Sequence, residues 1–138
     1  MKEPFWITPQ YALIAHDQQL AEHGGQEGVR DMGGLESAII RPQQLLHYKP
    51  EAASLARLAA AYAVGISRNH PFVDGNKRTA LVVCFTFLKI NGMVVTAEPT
   101  ERYRMFEGLA SGEITEQRFT KWLEKVVEPS KKSPRSST

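Results

Sequence analysis

The amino-acid sequence predicts an all-α protein folded as one compact domain, and three observations support this class. Apolar residues recur at helical spacing through most of the 138 residues, as at Phe119, Trp122 and Val126. Residues that cap or stop helices fall at the ends of these segments. Residues 24–34 alone are rich enough in glycine to interrupt the helices. A chain of this length is expected to fold around one core.

The predicted helices follow from apolar spacing and from the residues that begin or end them. Thr8 and Pro9 suit the N-cap and first position of a helix that ends near Gly24. A short helix after the glycine-rich segment should stop near Pro42. Helices are expected at 35–41, 50–68, 75–91, 99–111 and from 115 onward, with an extended link at 93–96. The helix at 75–91 has almost no polar face and should be central and buried.

Residues 24–34 predict either a plain connector or a flap beside a functional site. The segment holds half of the ten glycines in the chain, namely Gly24, Gly25, Gly28, Gly33 and Gly34. These glycines permit sharp turns or a short hairpin and disfavour helix. Flexible glycine-rich loops often act as lids over sites, which favours the flap.

The composition excludes several classes of protein. A chain with 42% hydrophobic and 23% charged residues is typical of soluble globular proteins. No apolar run approaches the roughly 20 residues that span a bilayer, and the N-terminus lacks the apolar core of a signal peptide. Cys84 is the only cysteine, so no intrachain disulfide can form. We therefore expect a cytoplasmic protein that does not enter membranes.

The formal net charge of +2 is unevenly distributed along the chain. Residues 129–138 contain Lys131, Lys132 and Arg135 and no acid, so they carry +3 and leave −1 for residues 1–128. The folded body therefore lacks the basic footprint of a duplex-DNA binder, and direct DNA binding is not expected. The Ser-, Lys- and Pro-rich segment predicts a disordered tail at 129–138 after a domain at 1–128.

Residues 70–79 place a candidate proton acceptor beside a candidate anion site at the start of the apolar helix. His70 can accept a proton near neutral pH, and Pro71 should hold it in an extended conformation. Asp74 fits either a helix N-cap or a Mg²⁺ ligand beside bound phosphate. Gly75 allows the backbone to approach an anion closely.

The next three polar residues complete the candidate anion site. Asn76 offers an amide, Lys77 a point charge and Arg78 a planar fork for phosphate. The two cations oppose the positive end of the helix dipole, and a bound anion would remove that conflict. The glycine spacing does not fit a Walker P-loop, and no second His or Cys falls at zinc-ligand spacing. The segment therefore predicts chemistry on a phosphate ester.

The same segment resembles the signature of the Fic superfamily, and most closely its death-on-curing (Doc) branch, through His70-Pro71-Phe72-x-Asp74-Gly75-Asn76-Lys77-Arg78. Further blocks across the body resemble that branch in the same order: Ile7-Thr8-Pro9, Ala15-His16-Asp17, Gly24-Gly25, Gly34-Leu35-Glu36-Ser37-Ala38 and Asn91-Gly92. The resemblance implies a helical bundle with a glycine-rich flap, in which the active loop precedes a buried central helix.

The resemblance also implies a reaction, in which Lys77 is the deciding residue. The Fic branch that transfers AMP has glycine at this position, whereas a lysine takes space and adds charge in the anion site. Doc-type proteins then bind ATP in reverse, with its γ-phosphate toward the histidine. The implied protein is a toxin that phosphorylates a serine or threonine of translation elongation factor Tu and arrests translation. The alternatives are a Fic-type AMP transferase and a non-catalytic module that binds an antitoxin or a peptide.

The implied roles carry over residue by residue. His70 takes the proton of the target hydroxyl, and Asp74 binds Mg²⁺ or orients His70. The phosphates of ATP are expected to contact Gly75, Asn76, Lys77 and Arg78, with Arg68 as a further contact. The resemblance implies that four residues are catalytic, namely His70, Asp74, Lys77 and Arg78. Phosphoryl transfer requires that the reacting groups are positioned and that their charge is neutralised.

The glycine-rich segment corresponds to the family's flap, which pairs with the target peptide as an extra strand. Many Fic proteins also carry an inhibitory helix with the pattern [Ser/Thr]-x-x-x-Glu-[Gly/Asn]. This chain has no match, because His23 precedes Glu27 and Tyr103 precedes Glu107 at that spacing. A separate Phd-like antitoxin is therefore implied, a disordered segment that folds into a groove near the site.

Overall fold

Within residues 1–131, which a computed structural model describes, the chain forms six α-helices, one 3-10 turn and two short strands. The helices are α1 (Pro9–His23), α2 (Met32–Tyr48), α3 (Leu55–Asn69), α4 (Asn76–Ile90), α5 (Pro99–Ser111) and α6 (Glu116–Val126). The strands β1 (Met93–Val95) and β2 (Val127–Pro129) pair antiparallel. The predicted all-α class is confirmed, and the small two-stranded sheet is an addition to it. No helix in the described range has the length and apolarity needed to cross a bilayer.

The predicted starts of α1 and α6 are confirmed by the side chains that cap them. Thr8 Oγ1 accepts the N–H of Tyr11 at 3.1 Å, and Thr115 Oγ1 accepts that of Arg118 at 3.1 Å. Each cap satisfies one of the N–H groups that the first helical turn leaves without a partner. Local side-chain chemistry is sufficient to place these two boundaries.

The helix predicted to end near Pro42 is instead longer at both ends. It begins at Met32, because Asp31 caps it by accepting the N–H of Gly34 at 2.9 Å. It continues through Pro42, whose side chain is buried in the face that packs on α3. Proline removes one helical hydrogen bond, and burial of this face outweighs that loss. As a consequence Gly33 and Gly34 are helical, contrary to the prediction for residues 24–34.

The predicted start of α3 at Pro50 is also wrong. Pro50–Ala52 forms a single 3-10 turn, and the helix begins after Ser54. Ser54 Oγ accepts the N–H of Arg57 at 3.0 Å and so provides the side-chain cap that Lys49, before Pro50, does not. The remaining course of this helix agrees with the prediction.

Helices α3 and α4 form the centre of the molecule and lead directly to the candidate site. Helix α4 is buried along Ala80, Val83, Cys84, Phe87 and Leu88, as its apolar sequence predicts. Helix α3 is buried more completely, over the residues 56 and 58–67. Its alanines and glycine are small, so neighbouring helices approach it closely on several sides.

The antiparallel strands join the end of α6 to the segment after α4. Met93 pairs with Pro129, and the N–H of Ser130 donates to the carbonyl of Gly92 at 2.8 Å. The extended link predicted at 93–96 is thus confirmed as β1. The segment predicted as a tail from residue 129 begins within this pairing, and its residues 132–138 lie outside the described range.

Candidate active site

A cleft of about 680 Å³ opens where the active loop, residues 70–75, meets α4. Most of the predicted site residues line it, namely His70, Asp74, Gly75, Asn76, Lys77 and Arg78. The opposite wall comes from α5, through Tyr103, Phe106, Glu107, Ala110 and Ser111. The fold therefore turns a contiguous loop into one side of a cleft and adds a second side from a distant helix.

Arg68 does not line this cleft. It is exposed in the last turn of α3, one residue after the cleft-lining Ser67. A cation in this turn lies near the negative end of the helix dipole, which is a sufficient structural reason for its presence. The phosphate contact predicted for Arg68 is therefore not supported by its position.

The active loop is held in the core by Phe72 and Asn76. Phe72 is fully buried, as predicted for a structural residue, and stacks on the His16 ring with centroids 3.8 Å apart. Asn76 Oδ1 accepts the N–H of Phe72 at 2.9 Å, and Asn76 Nδ2 donates to the Phe72 carbonyl at 2.9 Å. The predicted contact between this amide and phosphate would have to use the second hydrogen of Nδ2, and the backbone N–H of Asn76 is a further donor for an anion.

His70 adopts a left-handed conformation, not the extended one predicted from the following Pro71. Its φ is 48° and its ψ is 55°, and among residues 1–131 no other non-glycine residue has a positive φ. This conformation costs a residue with a Cβ about 1–2 kcal/mol. It ends α3, where the His70 N–H donates to the Ile66 carbonyl at 3.2 Å, and turns the chain into the loop. The strain is therefore located at the candidate proton acceptor.

The hydrogen bonds of Asn76 also determine which nitrogen of His70 carries the proton. Phe72 fixes the orientation of the Asn76 amide, so its Nδ2 faces His70 Nδ1 at 3.3 Å as a donor. In this geometry Nδ1 is the acceptor, and the neutral imidazole carries its hydrogen on Nε2.

Asp74 is not the N-cap of α4, which has no side-chain cap. Its Oδ2 accepts the N–H of Gln26 from the flap at 3.1 Å, and its Oδ1 accepts the N–H of Gly75 at 2.9 Å. Each oxygen keeps a lone pair, so the carboxylate fits as a single protein ligand of Mg²⁺. Because residues 1–131 contain no cluster of three acidic, His or Cys side chains, such an ion would take its other ligands from phosphate and water.

The two predicted phosphate-binding cations reach the cleft from the first turn of α4. Lys77 Nζ contacts Glu107 Oε1 at 2.7 Å, and Arg78 is exposed beside it. The Lys77 and Glu107 side chains are 45% and 68% exposed, so their ion pair is worth less than about 1 kcal/mol. An anion of higher charge can therefore compete for Lys77 at little cost.

The N-terminus of α4 is open to the same cleft. Gly75 precedes the helix with φ of 80°, and its carbonyl accepts the N–H of Thr79 at 3.0 Å. The N–H groups of residues 76–78 lie before this bond and have no partner within the helix. These groups and the helix dipole create a positive site beside Lys77 and Arg78, as the sequence predicts.

The glycine-rich segment lies directly against the active loop, which favours a flap over a plain connector. Val29 forms an antiparallel bridge with Phe72. On either side of this bridge the Arg30 N–H donates to Pro71 at 2.7 Å, and the Val73 N–H donates to Gly28 at 3.0 Å. The flap and the active loop are thus paired as two short extended segments.

Three parts of the site were not predicted from the sequence. His16 Nε2 donates to the Asp74 carbonyl at 2.8 Å from the buried face of α1, and Arg30 bonds the end of α3. The spacing of His16 with the buried Ala12 indicates burial, and a buried polar group needs a partner. The α5 wall, including Glu107, has no comparable local signal, because only helix packing brings it to the cleft.

Two comparisons with known proteins bear on the family of this chain. The model of the Fic/DOC family matches residues 6–88, which include the flap and the active loop. "Protein kinase doc" of Escherichia phage P1 is 38% identical over 109 residues, which cover 79% of this chain and 85% of that protein. "Toxin Doc" of Mycolicibacterium smegmatis is 44% identical over 75 residues, or 54% of this chain and 58% of that protein. The signature segment lines the cleft. Together with these alignments, this shows that the chain belongs to the Fic/DOC family.

Proposed function

We propose that this chain is the toxin of a toxin–antitoxin module and that it transfers phosphate from ATP to a serine or threonine hydroxyl of a protein. The observation that carries the proposal is the position of Lys77, which lines the cleft with His70 from the first turn of α4. A relative named as a protein kinase and another named as a toxin support the same reaction and role.

The cleft suits the triphosphate of ATP. Its volume of about 680 Å³ lies within the range of small-molecule sites. The backbone N–H groups at the start of α4, the Lys77 ammonium and the Arg78 guanidinium offer donors and positive charge to phosphate oxygens. Mg²⁺ held by Asp74 would add charge neutralisation at the same oxygens. Transfer of a phosphoryl group depends mainly on holding the phosphates in position and on neutralising their charge.

His70 is the proposed proton acceptor for the target hydroxyl. Its ring lines the cleft, and Nδ1 is the basic nitrogen in the present geometry. If Nδ1 accepts the proton, the long contact between Nδ1 and Asn76 is lost. Nε2 can be the acceptor only if the ring first releases that contact. Such hydrogen bonds commonly rearrange when substrate binds.

The flap offers an edge on which a target peptide can dock. Backbone groups of successive residues in an extended segment point to opposite sides. Since Gly28 and Arg30 bond the active loop, the N–H and C=O of the exposed Val29 face away from it. We propose that the target, translation elongation factor Tu, pairs there as an extra strand in the cytoplasm, and that a Phd-like antitoxin opposes the toxin.

AMP transfer is a second candidate, and one contact favours it. Glu107 holds the Lys77 ammonium toward α5, which leaves the N-terminus of α4 open for a phosphate in the other orientation. The two reactions differ in the group that the target receives, so a single measurement separates them.

We expect purified elongation factor Tu to gain one phosphate after incubation with the protein, ATP and Mg²⁺, as measured by intact mass. A His70→Asn variant should transfer nothing and should not arrest growth, since asparagine tolerates the left-handed conformation but cannot act as a base. Circular dichroism would verify that the variant is folded. A gain of one AMP, or undiminished activity of the folded variant, would contradict the proposal.

A further inference from the structure

Arg30 crosses from the flap to the end of α3 and bonds three consecutive residues there. Its Nε donates to the His70 carbonyl at 2.9 Å, and its Nη2 donates to the Asn69 carbonyl at 3.1 Å and also to that of His70. Its backbone N–H donates to the Pro71 carbonyl at 2.7 Å. A single flap residue thus contacts the main chain on both sides of the candidate base.

These contacts bear on the conformation of His70. The last carbonyls of a helix lack partners within the helix and carry partial negative charge, and a guanidinium satisfies both needs. The direction of the His70 carbonyl is set by the ψ angle of that residue. The fork of Arg30 therefore stabilises the left-handed turn that His70, as a residue with a Cβ, does not favour. Asn69 Nδ2 supports the same turn by donating to Gly34 at 2.9 Å.

A purely structural role in the core does not fit Arg30. The residue is exposed, and so is every residue of the chain from Ala21 to Gly33. The buried residues of α2 and α3 do not include Arg30. Its contacts are concentrated on the turn that carries His70.

We propose that Arg30 is a positioning residue, which holds His70 in its left-handed conformation and thereby aims the imidazole into the cleft. Because the adjacent Val29 is the proposed docking edge, binding of the target at the flap and the orientation of His70 are coupled. The inference rests on the proposed role of His70 as the base. The partner that would exploit this coupling is an extended peptide segment around the target hydroxyl.

The kinetic test compares Arg30→Ala and Arg30→Lys with Glu27→Ala, a control that removes an exposed charge from the same flap. We expect Arg30→Ala to lower kcat about 10- to 100-fold, as misplacement of a catalytic group does, with KM for ATP unchanged. Arg30→Lys should be intermediate, because lysine keeps the positive charge but lacks the planar fork that meets both carbonyls. Glu27→Ala should match the parent. An unchanged kcat, or a rise in KM alone, would overturn the proposal.

A second measurement needs neither ATP nor target. In NMR spectra of the full chain, backbone couplings and ¹³Cα and ¹³Cβ shifts report φ at His70, and the ring signals report its surroundings. Arg30→Ala should lose the left-handed signature at His70, and Glu27→Ala should retain it. Unchanged His70 signals in Arg30→Ala would refute the positioning role. If the parent transfers no phosphate but His70 still responds to Arg30→Ala, the proposed reaction fails and the structural coupling stands.

Discussion

Lys77 is the residue on which the choice between phosphate and AMP transfer depends. It lies in the first turn of α4 at the edge of the cleft, where it is half-exposed and paired with the exposed Glu107. A side chain in this position contributes little to folding but can add a full charge at a phosphate oxygen. Activity and stability should therefore respond differently to its removal.

We expect Lys77→Gly to reduce phosphate transfer about 100-fold, by analogy with the loss of one charge-stabilising donor. Glycine should lower the free energy of unfolding by only about 1 kcal/mol through its helix propensity. Lys89→Gly, an exposed position in the last turn of the same helix, is the matched control for that propensity. Labelled-phosphate assays and urea unfolding measure the two effects. A much larger loss of stability at Lys77 than at Lys89 would indicate a structural lysine.

Among the elements, the contact between α2 and α3 decides where the active loop and the flap meet. Helix α3 ends at the active loop, and α2 begins at Met32, within the last part of the glycine-rich segment. Gly65 permits their close approach, since a Cβ there would lie 2.9 Å from the Ala38 Cβ and 3.0 Å from its Cα. The obstacle is partly backbone, so it cannot move aside without shifting a helix.

We expect Gly65→Ala to lower the free energy of unfolding, because overpacking costs about 1–3 kcal/mol and helix propensity returns at most about 1 kcal/mol. Gly33→Ala is the control, because a Cβ there meets only Asp31 Oδ1 at an ordinary 3.6 Å. This variant should be neutral or stabilised by about 0.5 kcal/mol. Urea unfolding of both variants measures the difference. Equal stabilisation of the two would show that the helix spacing is not fixed by Gly65.

At the scale of the whole molecule, Glu116 connects three helices. Its carboxylate accepts from Arg41 of α2 at 2.8 Å and from Arg57 of α3 at 2.6 Å, while Glu116 itself begins α6. Burial of the carboxyl acts to raise its pKa, but the hydrogen bonds and charges of Arg41 and Arg57 outweigh this and lower the pKa below the ordinary 4.5. The ionised form is therefore favoured by folding.

A lowered pKa in the folded state means that Glu116 contributes its full stability above pH 4.5 and loses it as the pH falls through the folded value. Glu116→Gln should lower the free energy of unfolding at pH 7 by about 2 kcal/mol, since a charged hydrogen-bond acceptor is lost. The difference from the parent should shrink below pH 4.5. Urea unfolding between neutral and acidic pH measures this, with the exposed Glu124→Gln as control. A difference that does not change with pH would contradict the linkage.

The helix boundaries show which parts of the fold were accessible from the sequence. The starts of α1 and α6 follow from Thr8 and Thr115, and the burial of α4 follows from its apolar run. These predictions succeed because caps and periodicity act over a few residues. The predicted helix end near Pro42 is wrong, because the packing of α2 on α3 outweighs the local preference of proline. The candidate site divides in the same way. The contiguous loop was recognised, whereas the left-handed turn at His70 depends on contacts from elsewhere in the chain.

The amino-acid sequence is sufficient to predict the all-α class, the position of the active loop before α4 and the membership of a known family, because these depend on neighbouring residues read in order. Three contacts arise only from packing of the folded chain: Glu107 with Lys77, His16 with the active loop, and Arg30 with the turn at His70. Each of these contacts joins residues at least 30 positions apart. Such pairs meet only when helices pack, and packing depends on the shapes of all the buried faces together.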